Sequence, residues 1–137
     1  MLFRSLSMKN LYYNILPLLA SSEKNVRKFL DKAVFCKPNH QLSPEAEQLL
    51  VDYEVFAISR YKDRTQKPYF MKKELPEVRV ETHVLLGNQD LLFPREKSEA
   101  HAKQLLPQLK HLEVFEQVGH GIEVFPPALH YIQHHTK

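Results

Sequence analysis

The chain has 137 residues, of which 43% are hydrophobic and 26% charged, the composition of one ordinary globular domain. A net charge of +3 is too small and too scattered to indicate a nucleic-acid partner. No apolar run is long enough to span a membrane, and the N-terminal residues lack the apolar core of a signal peptide, so a cytoplasmic protein is expected.

The first half of the chain is predicted to be helical. Residues 11–19 are apolar and predict a short helix that ends or kinks at Pro17, because proline lacks the backbone donor. Ser22 is a suitable cap for a second helix, whose apolar residues recur at a spacing of three and four: Val26, Phe29, Leu30, Ala33 and Val34. The single cysteine, Cys36, lies where this helix runs into a proline turn. It fits a reducing compartment, and we interpret it as a buried or inert thiol.

A third helix is predicted from Ser43, which supplies a capping hydroxyl before Pro44 and Glu45. Its apolar stripe consists of Ala46, Leu49, Leu50, Tyr53, Phe56 and Ala57. Residues 60–76 are basic and lose this periodicity. We interpret them as a solvated connector with one helical turn at residues 71–75, rather than as a positive lip at a substrate entrance.

The second half alternates strand and helix. A strand over residues 80–87 is followed by a helix over 95–106, a strand over 111–118 and a helix over 127–135. This order is a βαβ unit, which implies two parallel strands joined by a right-handed crossover. The sequence therefore predicts an α/β protein with parallel strands.

A polar side chain follows the end of each predicted strand. Asp90 lies just beyond Gly87, and His120 lies between Gly119 and Gly121. Asp90 alone is typical of a turn or a helix cap. Because the catalytic groups of open α/β sheets follow the carboxyl ends of strands, the two residues together indicate an acid and a base.

These residues carry a family resemblance. The motifs L-L-G-N-Q-D at residues 85–90 and V-G-H-G-I-E-V-F-P at residues 118–126 resemble the C-terminal end of the α/β-hydrolase fold. The resemblance implies that Asp90 is the catalytic acid and His120 the base, with Glu123 and Pro126 near their usual places. It also implies a helical cap over residues 1–75 and a βαβα part of the core over residues 76–137. The expected activity is hydrolysis of a small-molecule ester, as in carboxylesterases.

The nucleophile of that family is not visible. It lies on a sharp turn written G-x-S-x-G, and no serine of this chain has a glycine two residues before it and another two residues after it. None of the seven serines follows a predicted strand: Ser5, Ser7, Ser21, Ser22, Ser43, Ser59 and Ser98. We therefore expect the serine and the oxyanion hole to lie outside this chain, which by itself is expected to be inactive.

Two parallel strands are too few to close a core. Parallel sheets are normally covered on both faces, and a two-stranded sheet leaves both edges unpaired. Six residues are expected in a sheet buried on both faces: Val84, Leu85, Leu86, Leu112, Val114 and Phe115. The expectation is a missing N-terminal half, self-association, or an open apolar face.

A different class of protein stays open. The chain could be a small interaction or dimerisation module that keeps the hydrolase architecture without catalysis. No metal or cofactor is expected. His130 and His134 are four residues apart, but no third ligand is evident, and we interpret them as part of a solvated helix end. The remaining histidines show no partner spacing: His40, His83, His101 and His111.

Overall fold

A computed structural model describes residues 8–60 and 73–135 of the chain. These residues form five α-helices and two strands, in the order α1 (Met8–Leu19), α2 (Glu23–Phe29), α3 (Pro44–Arg60), β1 (Thr82–Gly87), α4 (Arg95–Leu105), β2 (Leu109–Phe115) and α5 (Pro126–His135). None of the described helices is both long and apolar enough to cross a bilayer. The predicted connector over residues 60–76 lies mostly outside the described residues.

Two of the predicted helix starts are confirmed by their caps. The Ser22 hydroxyl accepts a hydrogen bond from the Asn25 amide at the start of α2, and the Ser43 hydroxyl accepts one from the Ala46 amide at the start of α3. Each bond satisfies a backbone donor that the first helical turn leaves unpaired. Helix α1 does not end at Pro17, one of the two predicted effects of this proline, since it continues to Leu19. A proline so near the end of a helix removes only one of its last hydrogen bonds.

Helix α3 buries a different face from the predicted one. Half of the predicted stripe is exposed to solvent: Leu49 is 72% exposed, Tyr53 62% and Phe56 58%. Leu50, from the same stripe, is partly buried and packs against the core. The face that packs instead carries Val51, which is fully buried, and Val55 and Ile58, which are partly buried. Both sets follow the spacing i, i+4, i+7 and are offset by two residues, so they lie on opposite sides of the helix. The prediction was wrong for Leu49, Tyr53 and Phe56, because α3 has two apolar faces.

The helical half has its own core. Val26, Leu30, Phe35 and Val51 are buried together, and half-buried residues of α2 and α3 surround them. A π-helical turn, Leu30–Val34, follows α2 and carries the chain to Phe35. Cys36 is half-buried, and its backbone pairs with that of His40 across a turn that contains a cis peptide bond before Pro38.

The sheet consists of β1 and β2, which are parallel, with Thr82 opposite Leu109 and Gly87 opposite Phe115. Helix α4 connects them, and this confirms a mixed α/β arrangement. The second strand begins and ends earlier than the predicted residues 111–118. The segment after it leaves the strand at a turn in which Gln117 has a left-handed backbone, with φ of 56°.

The sheet is incompletely covered within the part of the chain that the structure describes. A second core of Val118, Phe125 and Ala128 packs against Leu85 and Phe115 from the side of α5. All six sheet residues that were expected to be buried on both faces are only half-buried: Val84, Leu85, Leu86, Leu112, Val114 and Phe115. Helices α4 and α5 therefore do not bury the two strands completely.

Candidate active site

Asp90 lies on the turn that follows β1. Its backbone amide donates to the Gly87 carbonyl at 3.3 Å, which closes the turn. Its carboxylate oxygen Oδ1 accepts hydrogen bonds from the backbone amides of Leu92 at 2.7 Å and Phe93 at 2.8 Å. These bonds fix the side chain as an Asx turn does. One carboxylate oxygen is thus used for structure, and Oδ2 is left for another partner.

Gly87 lets the segment that carries His120 pass directly over the end of β1. A Cβ atom at Gly87 would lie 2.4 Å from the Val118 carbonyl oxygen and 2.5 Å from that of Gly119, far inside contact distance. The Gln89 amide also donates to the Val118 carbonyl at 2.9 Å. The glycine at the strand end is needed because two backbone segments meet there.

The structure brings the two predicted residues together. The ring atom Nδ1 of His120 lies 3.0 Å from Oδ2 of Asp90. The Asp90 side chain is 10% exposed and that of His120 is 34% exposed. A carboxylate only accepts, so Nδ1 carries the proton and Nε2 is the acceptor nitrogen of the neutral ring. Asp90 and His120 lie just past the carboxyl ends of two adjacent parallel strands, in a charge-assisted hydrogen bond.

The surroundings of His120 raise the pKa of its imidazole. Its hydrogen bond to Asp90 raises the pKa of the imidazole; burial opposes this rise, and the nearby charges of Asp90 and Glu123 add to it. Because the pKa is higher in the folded chain than in the unfolded chain, the pair stabilises the fold below the unfolded-state pKa. That contribution is lost as the pH rises through the folded-state pKa.

No described serine occupies the place of a nucleophile. Among residues 8–60 and 73–135, no serine or cysteine side chain forms a hydrogen bond with His120. Ser22 and Ser43 cap helices, and the Ser59 hydroxyl donates to the Phe56 carbonyl. Ser5 and Ser7 lie outside the described residues. The aromatic neighbour of the His120 ring is Phe93, with ring centroids 5.2 Å apart.

A third residue at this site is His40, for which the sequence predicted no interacting residue. The side chain is 1% exposed, and both of its ring nitrogens bond to the backbone on either side of His120. The Gly119 amide donates to Nδ1 at 3.0 Å, and Nε2 lies 2.8 Å from the Gly121 carbonyl oxygen. No local sequence pattern could reveal this contact, because it joins positions about eighty residues apart in different halves of the chain.

The remaining histidines lie away from the Asp90–His120 pair. The His130 and His134 rings are 4.0 Å apart, and Nδ1 of His134 bonds to the backbone carbonyl of His130. Nδ1 of His83 lies 2.6 Å from the Tyr131 hydroxyl, and Nε2 lies 3.1 Å from a Glu81 carboxylate oxygen. Within the described part of the chain, no group of three or more histidine, cysteine or acidic side chains is arranged to hold a metal ion.

Comparisons with protein-family models, with curated proteins and with solved structures gave no match to this chain. The resemblance to α/β-hydrolases therefore depends on the residues themselves. It consists of the two motifs around Asp90 and His120 and of the distance between these two side chains.

Proposed function

We propose that this chain is the C-terminal part of a serine α/β-hydrolase and supplies the acid and base of its catalytic triad. The observation that carries the proposal is the hydrogen bond between Asp90 Oδ2 and His120 Nδ1. It joins the ends of two parallel strands in the way that triad acids hold their histidines. The reaction is hydrolysis of a carboxylic ester, with the serine and the oxyanion hole supplied from outside the described residues.

The roles follow from the tautomer. Asp90 fixes the proton on Nδ1, so Nε2 can accept the proton of a serine hydroxyl as that oxygen attacks the ester carbonyl. The resulting imidazolium is stabilised by the Asp90 carboxylate. His120 then returns the proton to the leaving alcohol, which leaves an acyl-serine. A water molecule attacks the acyl carbon while His120 takes its proton. His120 then returns that proton to the serine oxygen as the bond between this oxygen and the acyl carbon breaks, and the carboxylic acid leaves.

The surroundings of the base favour an apolar substrate group. Phe93 packs beside the His120 ring and is 61% exposed. A large exposed aromatic ring beside a catalytic base gives an ester a surface on which an acyl or alcohol chain can lie. In a hydrolase whose cap contains α3, the exposed apolar residues of this helix would add to the same apolar surface.

Incomplete burial supports the proposal that further protein completes the core. A helix that is apolar on two sides, as α3 is, belongs between two layers of protein. The half-buried parallel strands require more cover for the same reason. The remaining half of a hydrolase core or a second copy of the chain would provide it.

Ester hydrolysis tests this function. The 137-residue chain alone is expected to hydrolyse p-nitrophenyl butyrate no faster than free imidazole, because it lacks the nucleophile and the oxyanion donors. The native form, isolated from its source cells with any polypeptide bound to it or continuous with it, is expected to turn the ester over. His120→Gln should abolish that turnover, whereas the exposed control His130→Gln should leave it unchanged. Turnover that survives His120→Gln contradicts the proposal.

A second candidate is an interaction module without catalysis. The exposed stripe of Leu49, Tyr53 and Phe56 favours it, because such a face is typical of a binding surface. The same assay separates the two functions. A native form that contains no esterase activity and no serine reactive to fluorophosphonates would support the module.

A further inference from the structure

We propose that His40 is a positioning residue that holds the His120 loop, residues 119–121, in the geometry that the Asp90–His120 pair needs. The role rests on the proposed function, since it gives His40 a part in hydrolysis. His40 acts through the backbone and makes no contact with the reacting atoms. Its two hydrogen bonds are to the backbone of Gly119 and Gly121, the residues on either side of His120.

The two bonds assign one neutral tautomer to His40. The Gly119 amide is a donor, so Nδ1 must be the acceptor, and Nε2 then carries the proton and donates to the Gly121 carbonyl. A ring that is 1% exposed depends on these bonds, because a buried polar group without partners is costly. Protonation of His40 would turn Nδ1 into a second donor and break the bond to Gly119.

The bonds bracket His120 in the sequence. One holds the residue before it and the other the residue after it, so the loop can neither lift nor slide without breaking a buried hydrogen bond. The Gly121 amide also donates to the Val34 carbonyl at 3.1 Å. A Cβ at Gly119 would lie 2.3 Å from that same Val34 oxygen, which shows how closely the segments meet.

The ring itself is fixed by packing. Phe35 and Phe125 meet it edge to face, with centroids 5.1 Å and 5.6 Å from that of His40. The helical half of the chain thereby determines where the catalytic histidine of the other half stands. A histidine that only filled the core would need one acceptor and one donor anywhere around its ring, not on the two flanks of the proposed base.

The test is an NMR titration of His120 in the 137-residue chain. His40→Phe keeps the ring packing and removes both bonds, while His40→Asn keeps an acceptor near the position of Nδ1. We expect the pKa of His120 to fall toward its ordinary value in His40→Phe, because the bond to Asp90 loosens, and to fall less in His40→Asn. The matched control is Asn39→Ala in the same turn, which removes side-chain bonds to the Glu116 and Gln117 carbonyls. It should leave the pKa of His120 unchanged.

The outcomes separate the two proposals. An unchanged His120 pKa in folded His40→Phe, or an equal fall in Asn39→Ala, overturns the positioning role even if the chain is part of a hydrolase. If the variants do not fold, ¹⁵N shifts of the unmodified chain decide: the Nε2–H tautomer of His40 at neutral pH supports the role, and the Nδ1–H tautomer or an imidazolium overturns it. In the native form, His40→Phe should lower kcat about 10²-fold, the effect of a small misplacement. If the unmodified native form has no esterase activity, the hydrolase proposal is refuted. The positioning role is not, because it is tested by the pKa of His120.

Discussion

Asp90→Asn is expected to lower kcat for ester hydrolysis by the native form about 10⁴-fold, with little change in KM. Asparagine keeps Oδ1 as the acceptor for the Leu92 and Phe93 amides, so the turn survives. In this orientation it presents its NH2 group, a donor, to His120 in place of a carboxylate oxygen. The ring then loses both its fixed tautomer and the charge that stabilises the imidazolium. Steady-state kinetics over a range of pH measures the effect.

The matched control is Glu123→Gln. Glu123 raises the pKa of His120 only through its charge at a distance, and less than Asp90 does. It should therefore change kcat far less than Asp90→Asn. Equal losses in the two variants would show that His120 responds to the general negative charge around it and not to a bond with Asp90.

The second large effect concerns stability. Phe125→Ala should lower the free energy of unfolding by about 3–5 kcal/mol, a large part of the stability of a small domain. The side chain is 8% exposed and meets Phe115 of β2 at 5.5 Å between ring centroids, as well as His40. Its loss leaves a cavity where the sheet, α5 and the helical half converge. Urea unfolding measures the change from the midpoint and the slope.

Leu129→Ala on α5 controls for a general loss of apolar area. Leu129 is 41% exposed and lies outside the buried core of Val118, Phe125 and Ala128. It should cost less than about 1.5 kcal/mol, because partial burial contributes less than full burial. A loss after Phe125→Ala as small as that after Leu129→Ala would contradict the packing described for Phe125.

The contact between Asp90 and His120 could be predicted because its signals are local. Gly87 and Gly119 mark places where the backbone must approach closely, and Asp90 and His120 stand at fixed short distances beyond them. Parallel pairing of the strands then brings their carboxyl ends together without further information. Helix starts at Ser22 and Ser43 were predictable for the same reason, since a cap is a contact between residues three apart.

The contacts of His40 and the packed face of α3 could not be predicted, because tertiary contacts of this kind leave no periodic pattern in the sequence. His40 follows a proline turn in the helical half, and nothing near it indicates a bond to the loop around His120. The packed face of α3 was equally hidden. Periodicity marks apolar faces but does not say which one meets the neighbouring helix, and α3 buries Val51 while it exposes Leu49 and Phe56.

Fluorophosphonate labelling of the native form, followed by mass spectrometry of the labelled peptide, tests the central claim most directly. We expect one serine to be labelled, within a G-x-S-x-G sequence that lies outside these 137 residues. Labelling should fall to background in His120→Gln and persist in His130→Gln. Labelling of a serine within this chain, or labelling that does not depend on His120, would contradict the assignment of Asp90 and His120 as the acid and base of that serine.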